Sequence, residues 1–276
     1  MTDCSKNPYA FIDAEVLKVT DESLNIKTFT LKPRGEISFR AGQFMEVTLP
    51  GIGEAPFTPS SNHNSVKTLD FTIMSAGRVT KLLHQAKAGD VVGLRGPYGT
   101  EYPLDKFKGK EVFIVGGGVG LAPLRALLYA LFNDVRDYKK IILRYGARTP
   151  ADIIYKDEID TWNGKAGHID VKISCDVGDP AWKGNVGLVT TILKTDKLDM
   201  DNAVAIVCGP PIMMKFATFK LIDLGFKDDR IYLSMEKNMS CGIGKCGHCR
   251  IGPYYACKDG PVFSYDKIKE LPNIWD

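Results

Sequence analysis

The sequence predicts a multidomain β-barrel plus α/β chain: an N-terminal antiparallel barrel, a doubly wound parallel-sheet domain, and a small C-terminal metal-binding segment. Three observations lead there. Residues 9–103 read as short strands parted by Gly, Pro, Asn and Ser clusters, the pattern of a barrel or sandwich. Residues 110–235 alternate β-branched strands with helices, which implies a parallel sheet covered on both faces. From residue 236 that rhythm stops, and four of the seven cysteines crowd into 17 residues. A length of 276 residues suits about two domains of roughly 150 residues plus a tail. The boundaries are set at 1–105, 106–235 and 236–276.

The barrel strands are expected at Phe11–Thr20, Asn25–Lys32, Gln43–Leu49, Leu69–Met74 and Val91–Arg95, with one short helix near Val79–Ala86. Val112–Val115 then opens the α/β pattern. Leu124, Leu127, Leu128 and Leu131 recur at i, i+3, i+4 and i+7, one face of a helix. Ile141–Tyr145 reads as strand and Asp152–Trp162 as helix. Val171–Ser174, Leu188–Leu193, Ala203–Cys208 and Ile212–Leu224 continue the pattern, and Ile231–Met235 closes it.

Charge and hydropathy exclude some functions. Thirty-six basic against 33 acidic residues leave a net charge of +3, without the basic surplus of a nucleic-acid binder. The longest apolar stretch, Val112–Phe132, holds Arg125 and five glycines or prolines, so no membrane span is expected. Met1–Lys6 lacks the apolar run of a secretory signal, and a cytoplasmic protein is expected.

Cys241, Cys246, Cys249 and Cys257 have the spacing C-x4-C-x2-C-x7-C. A [2Fe–2S] cluster takes four thiolates, and C-x4-C-x2-C with a more distant fourth Cys is the plant-type ferredoxin arrangement. Gly242, Gly244 and Gly247 suit a loop whose N–H groups face a cluster. Structural zinc is the alternative, but it commonly uses two well-separated hooks, and only Cys246-x2-Cys249 is one. His248 lies between ligands and is not needed as one. Cys4, Cys175 and Cys208 stand apart.

Val115-Gly116-Gly117-Gly118-Val119-Gly120 joins an apolar strand to a helix, with Pro123 in its first turn. An open α/β sheet presents a helix N-terminus to a phosphate at such a place. The literal G-x-G-x-x-G is absent, and a bare tight turn stays open as an alternative. Cys208-Gly209-Pro210-Pro211 ends a second strand in the same way, so both would border one crevice. In the barrel, Glu54-Ala55-Pro56-Phe57-Thr58 sets an aromatic beside a hydroxyl, and Gly77-Arg78-Val79-Thr80 leads into the short helix. Either is compatible with ordinary loop chemistry, Thr80 as a helix cap included. His63, His84, His168 and His248 are scattered, and no catalytic residue is assigned.

Taken together, Gly42-Gln43-Phe44, Gly77-x-x-Thr80, Gly96-Pro97-Tyr98-Gly99, Gly116–Pro123, Cys208–Pro211 and Cys241–Cys257 resemble the ferredoxin–NADP reductase superfamily, in its branch with a C-terminal [2Fe–2S] segment. The resemblance spans nearly the whole chain. It implies an FAD-binding barrel, an NAD(P)-binding α/β domain and a cluster held by the four cysteines. Pro56, Phe57 and Thr58 would meet the flavin ring, with Ile73 and Met74 along it. Gly77, Val79 and Thr80 would hold its pyrophosphate, which favours FAD over FMN. Gly117, Gly118, Gly120 and Pro123 would face the nicotinamide nucleotide, with Cys208 and Gly209 near its ring. NADH is expected, with NADPH as the alternative if Arg148 and Lys156 reach a 2′-phosphate. The family motif has an Arg where this chain has Ala55. The missing charge would come from Lys67, Arg78 or Lys81, or flavin would bind more weakly.

Within that branch, Gly51–Pro56, Thr161-Trp162-x-Gly164-Lys165 and Gly244–Arg250 look most like the B subunits of anaerobic sulfite reductases. The gamma subunits of sulfhydrogenases come second through Cys257–Phe263, and the electron-transfer subunits of dihydroorotate dehydrogenase are a further alternative. The implied role is an NADH-oxidising oxidoreductase subunit passing single electrons to the catalytic and ferredoxin-like subunits of a larger reductase or hydrogenase.

Overall fold

The computed structural model describes residues 7–65, 67–163, 168–194 and 198–275. Cys4, the Met1–Lys6 terminus, Gly164 and Lys165 lie outside them. The first sheet is antiparallel and six-stranded, in the order β4-β3-β6-β1-β2-β5. Its strands are β1 (Ile12–Ser23), β2 (Ile26–Pro33), β3 (Phe44–Leu49), β4 (Gly53–Phe57), β5 (Leu69–Met74) and β6 (Val91–Tyr98), with α1 (Arg78–Leu83) between the last two. Val16, Phe29, Leu31, Met45, Val47, Phe71 and Ile73 alternate inward to form its core. One strand, β4, is not among the expected ones, and it contains Pro56. Pro56 is tolerated there because β4 is an edge strand.

The second sheet runs β10-β9-β8-β7-β11-β12-β15. It comprises β7 (Glu111–Gly117), β8 (Lys140–Ala147), β9 (Ile169–Cys175), β10 (Asn185–Val186), β11 (Ala203–Cys208), β12 (Ile231–Ser234) and β15 (Val262–Ser264). All neighbours are parallel except β15, which runs antiparallel to β12 with Leu233 opposite Phe263. The helices are α2 (Leu104–Phe107), α3 (Leu121–Asn133), α4 (Lys156–Trp162) and α5 (Pro211–Asp223). Leu124, Leu127, Leu128 and Leu131 of α3 are all buried, as their spacing requires.

Two expected elements differ. Leu188–Leu193 is a 3₁₀ turn over Val189–Ile192, too short for a helix or strand of the alternation. The helix expected from Asp152 starts at Lys156, because Tyr155 takes a left-handed conformation (φ 56°) and interrupts it. Tyr155 instead ties the two sheets together. Its N–H donates to Glu22 Oε2 at 2.9 Å and its hydroxyl bonds Thr72 Oγ1. Arg125 of α3 reinforces the junction, reaching Asp70 Oδ2 at 3.1 Å, the Ser60 carbonyl at 3.2 Å and the Glu158 carboxylate.

The C-terminal segment adds the hairpin strands β13 (Arg250–Ile251) and β14 (Tyr254–Tyr255), then α6 (Ala256–Asp259) and α7 (Tyr265–Ile268). It builds no separate core. Cys241, Cys249, Ile251, Cys257, Phe263 and Ile268 pack in one cluster with Val115, Val207 and Leu233 of the parallel sheet. Its 260–262 stretch also straps the barrel, since Thr100 N–H donates to the Gly260 carbonyl at 2.6 Å.

Candidate cofactor sites

The four cysteines gather two by two. Cys241 lies beside Cys246, and Cys257 beside Cys249. Cys241, Cys249 and Cys257 are buried, whereas Cys246 is exposed. The described residues hold no group of three or more His, Cys, Asp or Glu drawn together around a single ion. Gly242, Gly244 and Gly247 take positive φ, bending the chain so that its amides turn inward. Gly244 N–H donates to Cys257 Sγ at 3.1 Å, and Lys245 N–H to Cys241 Sγ at 3.3 Å. Burial disfavours the Cys241 thiolate, but the amides of Cys246, Ile243 and Lys245 outweigh it and bring the pKa down to about 6. Burial and the neighbouring Cys249 push Cys257 up to about 12. Two thiol pairs within one glycine-bent, amide-lined loop fit a two-iron cluster with two thiolates per iron. His248 is exposed and bonded through Nδ1 to Ser240 Oγ at 2.9 Å, outside both pairs.

The barrel residues also converge. Pro56 and Phe57 end β4, Thr58 follows, and all three are half-buried. Phe57 sits opposite Met45 and leans on the barrel core. Gly53, at the start of β4, approaches α1 so closely that a Cβ there would stand 3.4 Å from Val79 Cγ2. Thr80 does not face outward. Its hydroxyl accepts from the N–H groups of Ala76 and Gly77 at 2.9 and 2.8 Å, fixing the turn before α1. That is the local role weighed for it in the sequence, exerted from the third helical position. Ile73 points its side chain into the core, leaving only its main chain for a ligand, while Met74 is exposed. Lys67, Arg78 and Lys81 are all exposed. Glu54, the acidic residue beside Ala55, is neutralised by a two-pronged ion pair with Arg95.

The two glycine-broken strand ends do meet. Cys208 of β11 lies opposite Gly116 of β7. A Cβ on Gly120 would stand 2.6 Å from both the Cys208 carbonyl oxygen and Gly209 Cα, so only glycine lets the turns pass. A Cβ on Gly117 would meet Met213 Cε at 2.7 Å. Gly118 (φ 53°) has open space beside it. Pro123 falls in the first turn of α3, where a missing N–H costs nothing. Burial pushes the Cys208 thiol up to about 12, against a hydrogen bond with Ser234, so it stays protonated at neutral pH. Arg148 and Lys156 are exposed beyond β8 and at the start of α4.

Comparison with known families agrees with this layout. Residues 13–102 match the oxidoreductase FAD-binding domain and 114–218 the oxidoreductase NAD-binding domain. Residues 236–269 match the iron–sulfur cluster binding domain of dihydroorotate dehydrogenase B, with all four cysteines inside. The chain is 37% identical to sulfhydrogenase 2 subunit gamma of Pyrococcus furiosus, over 94% of this chain and 96% of that subunit. The chain belongs to the ferredoxin–NADP reductase superfamily, in its iron–sulfur branch. This oxidoreductase is also 34% identical to a probable dihydroorotate dehydrogenase B electron transfer subunit of Methanocaldococcus jannaschii, over 92% of this chain and 90% of that one. Among solved structures it resembles the NADH-dependent reduced ferredoxin-NADP oxidoreductase, described for flavin-based electron bifurcation, at 26% identity. That match has a TM-score of 0.72 and covers 93% of this chain and 91% of the other. The oxidoreductase thus carries FAD-binding, NAD-binding and iron–sulfur domains. None of its described helices is long and apolar enough to cross a membrane.

What the sequence reading missed is the charged group between the two redox segments. Arg95 and Glu46 are buried and Glu54 is half-buried, on three neighbouring barrel strands. The signal was present: Glu46 interrupts Phe44–Leu49 and Arg95 ends an apolar run, each in mid-strand.

Proposed function

We propose that this chain is the electron-input subunit of a cytoplasmic multi-subunit oxidoreductase of the sulfhydrogenase kind, oxidising NADH and delivering single electrons through a [2Fe–2S] cluster. The observation that carries the reading is the likeness to the sulfhydrogenase gamma subunit along nearly the whole of both chains. It favours this reading over the sulfite reductase one, which rests on short motifs and the Cys249–Cys257 gap. The dihydroorotate dehydrogenase subunit is the second reading, favoured by the family matched at the cluster segment. When bound, flavin accepts a hydride as an electron pair, and an iron–sulfur cluster carries electrons singly.

The chain's own residues supply position and electrostatics. Phe57 offers a ring face to the isoalloxazine, Pro56 stiffens that strand, and Thr58 offers a hydroxyl near the flavin N5. Met74 and the main chain of Ile73 border the ring. Gly77, without a side chain, leaves open space for the pyrophosphate before α1, Val79 offers its amide, and Thr80 holds the turn. Gly117, Gly118, Gly120 and Pro123 shape the nucleotide crevice, and Cys208 and Gly209 close it at the nicotinamide. Cys241, Cys246, Cys249 and Cys257 bind the cluster. Arg148 and Lys156 are exposed, with no side-chain partner among the described residues that aims them at a 2′-phosphate, and NADH is the proposed donor with NADPH as the alternative. The proposed boundaries remain 1–105, 106–235 and 236–276, with the third unit sharing the core of the second. The catalytic and ferredoxin-like subunits complete the complex. The purified chain should reduce artificial dyes with NADH but evolve neither hydrogen nor sulfide. Hydrogen or sulfide production by this chain alone would refute the division of labour.

A further inference from the structure

The guanidinium of Arg95, on β6, has five N–H donors, and all five are taken. Nε bonds Glu54 Oε2 at 2.7 Å, and Nη2 completes the fork on Glu54 Oε1. Nη1 bonds the Cys241 carbonyl at 2.8 Å and the Tyr98 hydroxyl at 3.2 Å. Nη2 also reaches the Ser240 carbonyl at 3.2 Å. The side chain is 1% exposed, so these charge-assisted bonds act away from water, where they are strongest. Glu54 directly precedes Ala55-Pro56-Phe57 on β4, with Thr58 just beyond its end. Cys241 is the first of the four clustered thiols, 146 residues beyond Arg95. One planar cation therefore touches the strand assigned to flavin and the loop assigned to the cluster.

The surroundings are shaped for this contact. Gly242 (φ 72°) lets the cysteine loop lie against the Tyr98 ring, where a Cβ would come within 2.9 Å of it. The Arg95 guanidinium stacks over the same ring at 5.4 Å. Glu46, 3.8 Å from Nη2, accepts no hydrogen bond and diverts none of the five donors. A lysine has three donors on a point charge and does not reproduce a fork spanning Glu54, Ser240 and Cys241.

We propose that Arg95 is a positioning residue that locks the flavin strand to the first cysteine loop and so sets the rate of the electron step between flavin and cluster. This rests on the cofactor assignment above. In that step one electron leaves reduced flavin and enters the oxidised cluster. No covalent bond changes, and no proton crosses Arg95, because a guanidinium stays protonated.

The test uses the purified, cofactor-loaded chain and two variants, Arg95→Lys and Glu54→Gln. Hydrogen exchange at the amides of residues 240–246 should rise about tenfold in Arg95→Lys, the factor that follows from losing one charge-assisted hydrogen bond. In anaerobic stopped-flow mixing with NADH, the rate of cluster reduction should fall relative to the rate of flavin reduction, a ratio that a merely structural role would not move. Unchanged exchange and an unchanged ratio in a variant that loads flavin and iron normally would overturn the proposal. If Arg95→Lys does not fold, Glu54→Gln decides, since it keeps the shape and the cation but weakens the fork. It should shift both readouts in the same direction, and no shift overturns the lock. A wild-type chain without flavin or iron would overturn the cofactor assignment and this role with it, and its visible spectrum shows that before any variant is made.

Discussion

Glu46 is buried on β3 with neither carboxylate oxygen hydrogen-bonded. Burial pushes its pKa from 4.5 up to about 7. Arg95 opposes the shift, and Glu54 and Cys241 add to it. The folded chain therefore keeps the Glu46 proton up to about pH 7, whereas the unfolded chain releases it near 4.5. The stability conferred by the neutral carboxyl is complete below the lower value and is lost as pH rises through the upper one. Glu46→Gln stays neutral throughout. It should be more stable than wild type by about 2–3 kcal/mol near pH 8 and indistinguishable from it near pH 4.5. Thermal melts at the two pH values check this, and an equal difference at both would show that Glu46 does not titrate on unfolding. Residues of this kind are the least legible in sequence. An acid inside an apolar strand signals a special position, but its partners Arg95 and Glu54 lie on strands whose neighbours only the folded sheet reveals.

At the scale of elements, the glycine turn after β7 shows what sequence does carry. Gly116–Gly120 and Cys208–Gly209 were read as two strand ends bordering one crevice, and the sheet places them side by side. Chain order and the rule that parallel strands present their carboxyl ends together are enough for that inference. The strands around Phe29, Phe71 and Leu143 were legible because their inward alternation or continuous apolar runs survive into the fold. Strand β4 was hidden by Pro56, and β15 by its distance from β12, since edge pairing leaves little periodic trace in so few residues. The interrupted start of α4 was hidden because a left-handed tyrosine has no sequence signature. Gly120→Ala tests the turn. Its Cβ would strike backbone atoms at 2.6 Å, which cannot yield as a flexible side chain can. The variant should lose about 1–3 kcal/mol of stability and bind NADH more weakly while still binding FAD. Unaltered NADH affinity in folded Gly120→Ala would place the nucleotide elsewhere.

For the whole molecule, the arrangement is a relay in a single body. The tail completes the parallel sheet through β15 and straps the barrel through Thr100 and Gly260, so the cysteine loop is held by both larger units. Tyr155 and Arg125 pin the barrel to the α/β unit on the other side. Such bracing suits electron transfer, in which the protein provides orientation and the cofactors provide chemistry. The most direct test is anaerobic NADH titration of the purified chain, followed by visible absorption and electron paramagnetic resonance, with iron, sulfide and zinc assayed on the same sample. The account predicts one FAD with two irons and two sulfides per chain, flavin bleaching on NADH addition, and a [2Fe–2S] signal that grows after it. A chain that held one zinc, or whose flavin bleached while its iron–sulfur centre stayed oxidised under excess NADH, would contradict it.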